Sequence, residues 1–438
     1  MLFTKPKRAI GLDIGTHSVK AVQMSRSGGR LCVDQVGYAV VNREQVNADP
    51  VSAHAVAVQE ALASMAPAQS YLVAALPGQT VVIRYPRLKE TDRENLAAAV
   101  QREAGQNIPY DLDEVELDWT LLDEVEEGSQ RQLKVLLVAA RHEVIDSRVQ
   151  IMEAASLQFS VLGVDSLALA DAAEGCDLFR TGETVALVNI GLTSASIHFV
   201  KDGVSTFIRD VNWGGRELIQ AIAKEYRCEY KEAEKKLETL AHEEPEAKRQ
   251  PTPSELPPLE MDPDFMSESL SDAGGDTVSD VGFGGLSTPD SLSDPFGEAP
   301  RTGGLLDPLD EELGEPMLAS PLGGSSVELG GSDEKPLKEV ISAPLSRMVS
   351  EVRRSFDYYE HQLYERPVDR LILSGGVAHL PIIGKTLLDE LGVETVEVAD
   401  PTSGPIVMGD DRSIAPMKAT PAQYMVALGL AARGMADL

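Results

Sequence analysis

The sequence predicts an α/β protein whose fold is built twice, with an inserted α+β subdomain in its first half and a long acidic insertion in its second. Three observations predict it. A strand–turn–strand device at Ile10–Lys20 returns in altered form from Val185 to Lys201, and a repeated device of this kind is the mark of a duplicated fold. A strand, helix, strand, strand, helix order over residues 78–155 interrupts the first copy as a compact unit. From Gln250 to Glu334 the only basic residue is Arg301, and Pro, Gly, Ser, Asp and Glu dominate.

The first device reads Ile10-Gly11-Leu12-Asp13-Ile14-Gly15-Thr16-His17-Ser18-Val19-Lys20. Its apolar run ends in an acidic residue, turns at Gly15, and resumes with β-branched residues at Val19 and Val22. A phosphate fits such a turn. Gly15 lacks the Cβ that would keep the backbone from an anion, and the amides and hydroxyls of Thr16, His17 and Ser18 converge there as donors. Asp13 is placed to hold a hydrated divalent cation, and Lys20 to neutralise phosphate charge. A plain glycine hairpin with an incidental aspartate would carry the same letters.

Composition excludes several classes. The 438 residues, 43% hydrophobic and 25% charged, are an ordinary globular mixture with room for two to four domains. A formal net charge of −31 repels a nucleic-acid backbone or an anionic bilayer. Cys32, Cys176 and Cys228 are odd in number and far apart, and no Cys or His pair has metal-site spacing, as expected of a reduced cytosolic chain. The basic start, Met1 to Arg8, runs into the first strand with no apolar signal region, and no window approaches the roughly 18 apolar residues of a membrane span.

In chain order, Ala9–Gln23 and Leu31–Val41 read as strands of one sheet, Pro50–Met65 as a helix backing it, and Tyr71–Pro77 as a further strand. The inserted unit then comprises the block Leu76–Pro86, a helix Glu90–Gly105, strands Glu114–Leu122 and Gln132–Arg141, and a closing helix His142–Ala155. The parent pattern resumes with a strand and helix over Val161–Ala173. Val185–Ile190 leads into Gly191-Leu192-Thr193-Ser194 and the strand Ile197–Lys201, with Asn189 where the first device has Asp13. Helices Glu217–Tyr226 and Tyr230–Leu240 follow Gly214-Gly215. Residues 245–335 cannot bury enough apolar surface to offset their ordering entropy and are expected to be disordered; they carry more than half of the net charge of −31. Their apolar clusters, such as Leu305-Leu306-Asp307-Pro308-Leu309, read either as partner motifs or as parts of a passive spacer. A helix Leu337–Gln362, whose true start Pro344 marks, a buried strand Arg370–Ser374 entering Gly375-Gly376, a helix Leu380–Leu391 and an apolar helix Tyr424–Arg433 complete the chain. The Gly375-Gly376 turn lets a flat ligand lie against backbone, or serves tight helix-on-strand packing.

Taken together, Gly11-Leu12-Asp13-Ile14-Gly15 with Lys20, Leu76-Pro77-Gly78, Ile108-Pro109-Tyr110 before Glu114-Val115, Val138-Ala139-Ala140, Gly214-Gly215-Arg216-Glu217-Leu218 with Glu232-Ala233-Glu234, and Ser374-Gly375-Gly376 resemble the actin-like ATPase superfamily, and within it the PilM family of type IV pilus assembly. The block around residues 76–118 is the specific part, since it is similar to the inserted subdomain of PilM and its cell-division relative FtsA. The resemblance implies an actin-like ATPase fold of duplicated ribonuclease-H-like lobes: 1–75 as first lobe, 76–155 as the inserted subdomain, 156–182 as first lobe continued, 183–414 as second lobe with the acidic insertion, and 415–438 as a terminal helix of the first lobe. It implies ATP and Mg2+ as ligands. Gly15, Thr16, His17, Ser18 and Lys20 would hold phosphates from one lobe and Gly191, Thr193 and Ser194 from the other; Gly214, Gly215, Gly375 and Gly376 would line the adenosine pocket, and Asp13 would hold magnesium through water. Asp165 would either orient an attacking water or cap the helix from Ser166. The implied partner is a PilN-like inner-membrane protein, its cytoplasmic N-terminal peptide lying between the inserted subdomain and the first lobe, so that the chain is cytoplasmic and reaches the inner membrane through that partner.

Asn189 departs from the family's aspartate. An amide supplies no second negative charge near magnesium and accepts no proton from water, so the expectation is ATP binding with weak or absent turnover. Two other functions share the fold. A small-molecule kinase requires a carboxylate base facing a substrate cleft, for which there is no strong candidate. An FtsA-like filament former is expected to carry an amphipathic membrane helix beyond a linker, whereas this sequence stops at Leu438 directly after its last core helix.

Overall fold

A computed structural model describes residues 8–127, 130–242 and 335–436. The expected disorder of 245–335 lies outside the described residues, apart from Lys335. In chain order the strands are β1 (Arg8–Ile14), β2 (Ser18–Ser27), β3 (Arg30–Val40), β4 (Tyr71–Leu76), β5 (Val81–Arg84), β6 (Arg87–Lys89), β7 (Val115–Glu127), β8 (Gln130–Arg141), β9 (Val161–Val164), β10 (Thr184–Ile190), β11 (Ala195–Lys201), β12 (Val204–Val211), β13 (Arg370–Gly375), β14 (Thr395–Val398) and β15 (Val407–Met408).

Two of the three sheets have the same plan. The first runs β15-β3-β2-β1-β4-β9 and the second β12-β11-β10-β13-β14. In each, three antiparallel strands are joined in sequence order and two parallel strands extend from the first of them: β4 and β9 beside β1, β13 and β14 beside β10. The equivalence extends to register, with Asp13 opposite Lys20 and Asn189 opposite Ser196.

Burial on both faces explains the near-continuous apolar letters of β1. Ala9 packs with Met425, Leu428 and Ala431 of the helix Met425–Met435, while Ile10 and Leu12 pack with Ala57, Val58 and Ala61 of the helix Pro50–Ala61. The second core sets Val188, Ile197 and Phe199 against Ile219, Met348, Val352 and Phe356. Phe199 stacks on Tyr359, ring centroids 4.4 Å apart. The helix expected over Leu337–Gln362 is broken. It comprises Leu337–Val340, Ser342–Asp357 and a wider turn at Tyr358–Gln362. Pro344 lacks an amide proton and its ring crowds the carbonyl four residues back, which forces the restart. The Pro344 carbonyl accepts the Trp213 Nε1–H at 3.0 Å.

The third sheet, β5-β8-β6 with β7 also on β8, closes over the helix Leu96–Asn107 through Val100, Ala104, Leu133, Val135 and Leu137. Its neighbouring helix, His142–Ala154, packs Val144 with Val81 and Ala140 of the inserted sheet, and its far end reaches beyond that unit. Ile151 and Met152 are buried in the first core beside the helix Pro50–Ala61, so this helix fastens the inserted sheet to the first lobe.

Candidate nucleotide cleft

The two sheets face each other across a cleft of about 620 Å³. Both hairpins close in the same way: Gly15 N–H donates to Ser18 O at 3.2 Å, and Gly191 N–H to Ser194 O at 2.9 Å. The cleft brings together Asp13, Gly15, Thr16, His17, Ser18 and Lys20 from one side and Asn189, Gly191, Thr193, Ser194, Gly215, Gly375 and Gly376 from the other, with Asp165 between them. Gly214 is not among the lining residues. It lies beneath the second hairpin, where a Cβ would meet the Leu192 carbonyl oxygen at 2.4 Å.

The glycines support the second hairpin through their amides. Gly215 N–H donates to Gly191 O and Gly376 N–H to Ile190 O, both at 2.9 Å. Gly375 has φ +96°, and a Cβ on it would come within 2.3 Å of the Ile190 oxygen, so only glycine makes this turn. A Cβ on Gly376 would face open space. That leaves a bare backbone surface on the cleft.

The charged groups are unequal in the two halves. Lys20 Nζ lies 3.3 Å from Asp13 Oδ2. Asn189 Oδ1 instead accepts the Ser374 hydroxyl at 3.2 Å, which turns the amide toward its own sheet. At the rim, His17 Nδ1 approaches Glu234 Oε1 at 3.7 Å and the Arg43 guanidinium covers the Tyr230 ring at 3.6 Å, linking the lobes above the cleft. Burial, outweighing the attraction of Glu234, pulls the His17 imidazole below its ordinary pKa.

Asp165 does not act as an N-cap. It is the first residue of the helix Asp165–Gly175, and its Oδ1 accepts both the Ser166 amide at 2.6 Å and the Gly78 amide at 2.8 Å. Burial raises its pKa to about 7 against the pull of the Gly78 hydrogen bond, and the Asp13 charge adds to the rise. Two residues overlooked in the sequence complete this floor. Arg148, 1% exposed, donates from Nη1 to the Ile14 carbonyl at 3.4 Å, and its Nε has no partner among the described residues. Burial lowers its pKa to about 10 although Asp13 and Asp165 oppose the shift. A charged residue four positions from Val144 and Met152, on the apolar stripe of a helix, was the available signal. Asp210, at the end of β12, sets its carboxylate against Gly78, and burial followed by the Asp165 charge holds its carboxyl well above the usual range. Nothing local to Asp210 in the sequence marks it.

A duplicated sheet plan with a phosphate-type hairpin at the same place in each half, facing across one cleft, defines an actin-like ATPase fold. Similar solved structures include a PilM–PilN type IV pilus biogenesis complex, at TM-score 0.63 and 19% identity over 98% of this chain and 99% of that one. Others are the ethanolamine utilization protein EutJ from Carboxydothermus hydrogenoformans (0.43, 14%, 98% and 90%) and MreB 5 of Spiroplasma citri bound to AMPPNP (0.41, 11%, 97% and 95%). The family described as type IV pilus assembly protein PilM matches residues 11–246 and 333–435. The chain belongs to that family. No helix among the described residues is long and apolar enough to cross a membrane.

Proposed function

We propose that this protein is an ATP-binding scaffold of type IV pilus assembly that holds the cytoplasmic N-terminal peptide of a PilN-like inner-membrane protein. The observation that carries the nucleotide half is the pairing of the two hairpins across one cleft, with Lys20 and Asp13 on one side only. Gly15, Thr16, His17, Ser18 and Lys20 bind phosphates from the first lobe, and Gly191, Thr193 and Ser194 from the second. Gly215, Gly375 and Gly376 offer a flat backbone to the adenosine.

The donor set suits magnesium carried by the nucleotide. Asp13, Thr16 and Ser18 line the same cleft, and Mg2+ would take one or two carboxylates, Asp13 first among them, together with phosphate oxygens and water. Bound there, the metal would supply charge neutralisation to the phosphates. With Asn189 bonded to Ser374, the second hairpin offers no carboxylate, so binding is retained and turnover is slow. Asp165, hydrogen-bonded at the floor, is the group that orients water.

The peptide half rests on family membership and on the junction between the inserted sheet and the first lobe, where β9 is, among the described residues, a sheet edge with no further strand. An extended peptide adds main-chain hydrogen bonds to such an edge and drops side chains into the apolar junction. The chain works in the cytoplasm and reaches the inner membrane through this partner. Calorimetric titration with ATP, with and without Mg2+, tests the first half: saturable binding strengthened by magnesium is expected, and its absence refutes it. Fluorescence titration with the cytoplasmic peptide of the PilN-like partner tests the second.

A further inference from the structure

The junction assigned to the peptide has one charged wall. Cross-strand neighbours share a sheet face, and β8 places Ala140 and Val138 opposite Glu116 and Asp118 of β7 on one side and opposite Val81 and Ile83 of β5 on the other. One face therefore reads Ile83, Val138, Asp118 across three strands, and Val81, Ala140, Glu116 in the next row. Its apolar part continues onto the first lobe. Val81, Ala140, Leu76, Val144 and Val164 are buried together, with Ile83, Val138, Ile145 and Leu162 half-buried at the margin.

Leu162 belongs to β9, which pairs with β4 and, among the described residues, with no strand on its other side. Val161, Leu162 and Gly163 are each half-exposed there. The acidic wall stands one strand spacing, about 4.8 Å, from the apolar margin. Glu116 and Asp118 are both exposed, and among the described residues neither has an ion-pair partner. An anionic segment is repelled by this wall, whereas a cytoplasmic segment next to a membrane span carries an excess of Lys and Arg.

We infer, on the basis of the peptide-holding reading above, that this surface selects an extended segment with apolar side chains toward Leu162, Val138 and Ile83 and lysine or arginine toward Glu116 and Asp118. The open edge of β9 supplies the main-chain partners, the apolar margin supplies grip, and the carboxylates set orientation and attraction.

The test is fluorescence anisotropy on the full chain with the labelled N-terminal peptide of the PilN-like partner, in its native form and with every Lys and Arg replaced by Gln. The native peptide is expected to bind saturably, at least tenfold more tightly than the glutamine form, and more weakly as salt is raised. Glu116→Lys with Asp118→Lys, both at exposed positions, should remove that tenfold preference, while Leu162→Asn should weaken both peptides equally; an unchanged thermal midpoint shows each variant folded. Equal affinity of the two peptides, unaltered by the lysine variants but reduced by Leu162→Asn, overturns the charge selection and leaves the peptide reading standing. No saturable binding of either form overturns both. Displacement of the native peptide by a synthetic Met1–Arg8 peptide at equal concentration overturns the assignment in favour of the chain's own basic N-terminus.

Discussion

The Asp165 carboxylate accepts the Gly78 amide at 2.8 Å, and the Asp210 carboxylate closes on the same glycine from the second lobe. Gly78 begins the inserted unit just after β4, so one residue at the floor of the cleft touches both lobes and the root of the third sheet. A Cβ at Gly78 would lie 2.7 Å from Asp210 Oδ2. Gly78→Ala should therefore destabilise the protein by about 1–3 kcal/mol, the usual cost of overpacking, as read by urea denaturation. An unchanged midpoint would mean that Asp210 swings aside freely.

The same floor makes stability depend on pH. Asp165 ionises near 3.8 in an unfolded chain and at about 7 in the folded one. Between those values the folded state holds a proton that the unfolded state has lost. The stability that proton provides is complete below the unfolded value and disappears as pH rises through about 7. Denaturation curves from pH 4.5 to 8 should show unfolding free energy falling with pH, Asp165 contributing up to about 1.4 kcal/mol per pH unit and the raised Asp210 carboxyl adding a fall of the same sign. Asp165→Asn should flatten that fall, and an equal slope in the variant would assign it elsewhere.

Asn189→Asp restores a carboxylate opposite Ser196, the position that Asp13 holds opposite Lys20. Magnesium-dependent ATP hydrolysis should rise by about tenfold or more, given the size of single electrostatic contributions in phosphoryl and acyl transfer sites. Single-turnover assays at saturating ATP would measure it. A faster wild type than variant would remove Asn189 as the reason for slow turnover.

Gly375→Ala combines a positive φ with a close approach to the Ile190 oxygen. The strained turn and displaced hairpin should cost about 2 kcal/mol or more of stability and weaken ATP by about tenfold, measured by calorimetry on protein shown to be folded. Gly376→Ala, facing open space, should leave stability within about 0.5 kcal/mol.

Replacing residues 250–334 by a short glycine-serine linker should leave thermal stability and ATP binding unchanged, because loop closure costs little. The flanking residues are held independently of it: Tyr226 Oη donates to the Lys335 carbonyl at 2.7 Å. A clear fall in the thermal midpoint would show that the segment packs on the core.

The sequence alone determined the local devices. Asp13-Ile14-Gly15-Thr16 and Asn189-Ile190-Gly191-Leu192 are readable as strand and turn because alternation, β-branching and glycine act within a few residues, and their likeness to each other already implied two copies of one fold. Among the elements it did not reveal, β14, of four residues, and β15, of two, owe their form to pairing with β13 and β3 rather than to their own letters. Tertiary structure decided the cleft floor. Asp165, Asp210 and Arg148 come from three separate elements, and their shifted proton affinities arise from shared burial and mutual charge, which no window of sequence contains. It also decided that the helix His142–Ala154 belongs to two cores at once, since its periodicity fixes which face is buried but not which sheet buries it.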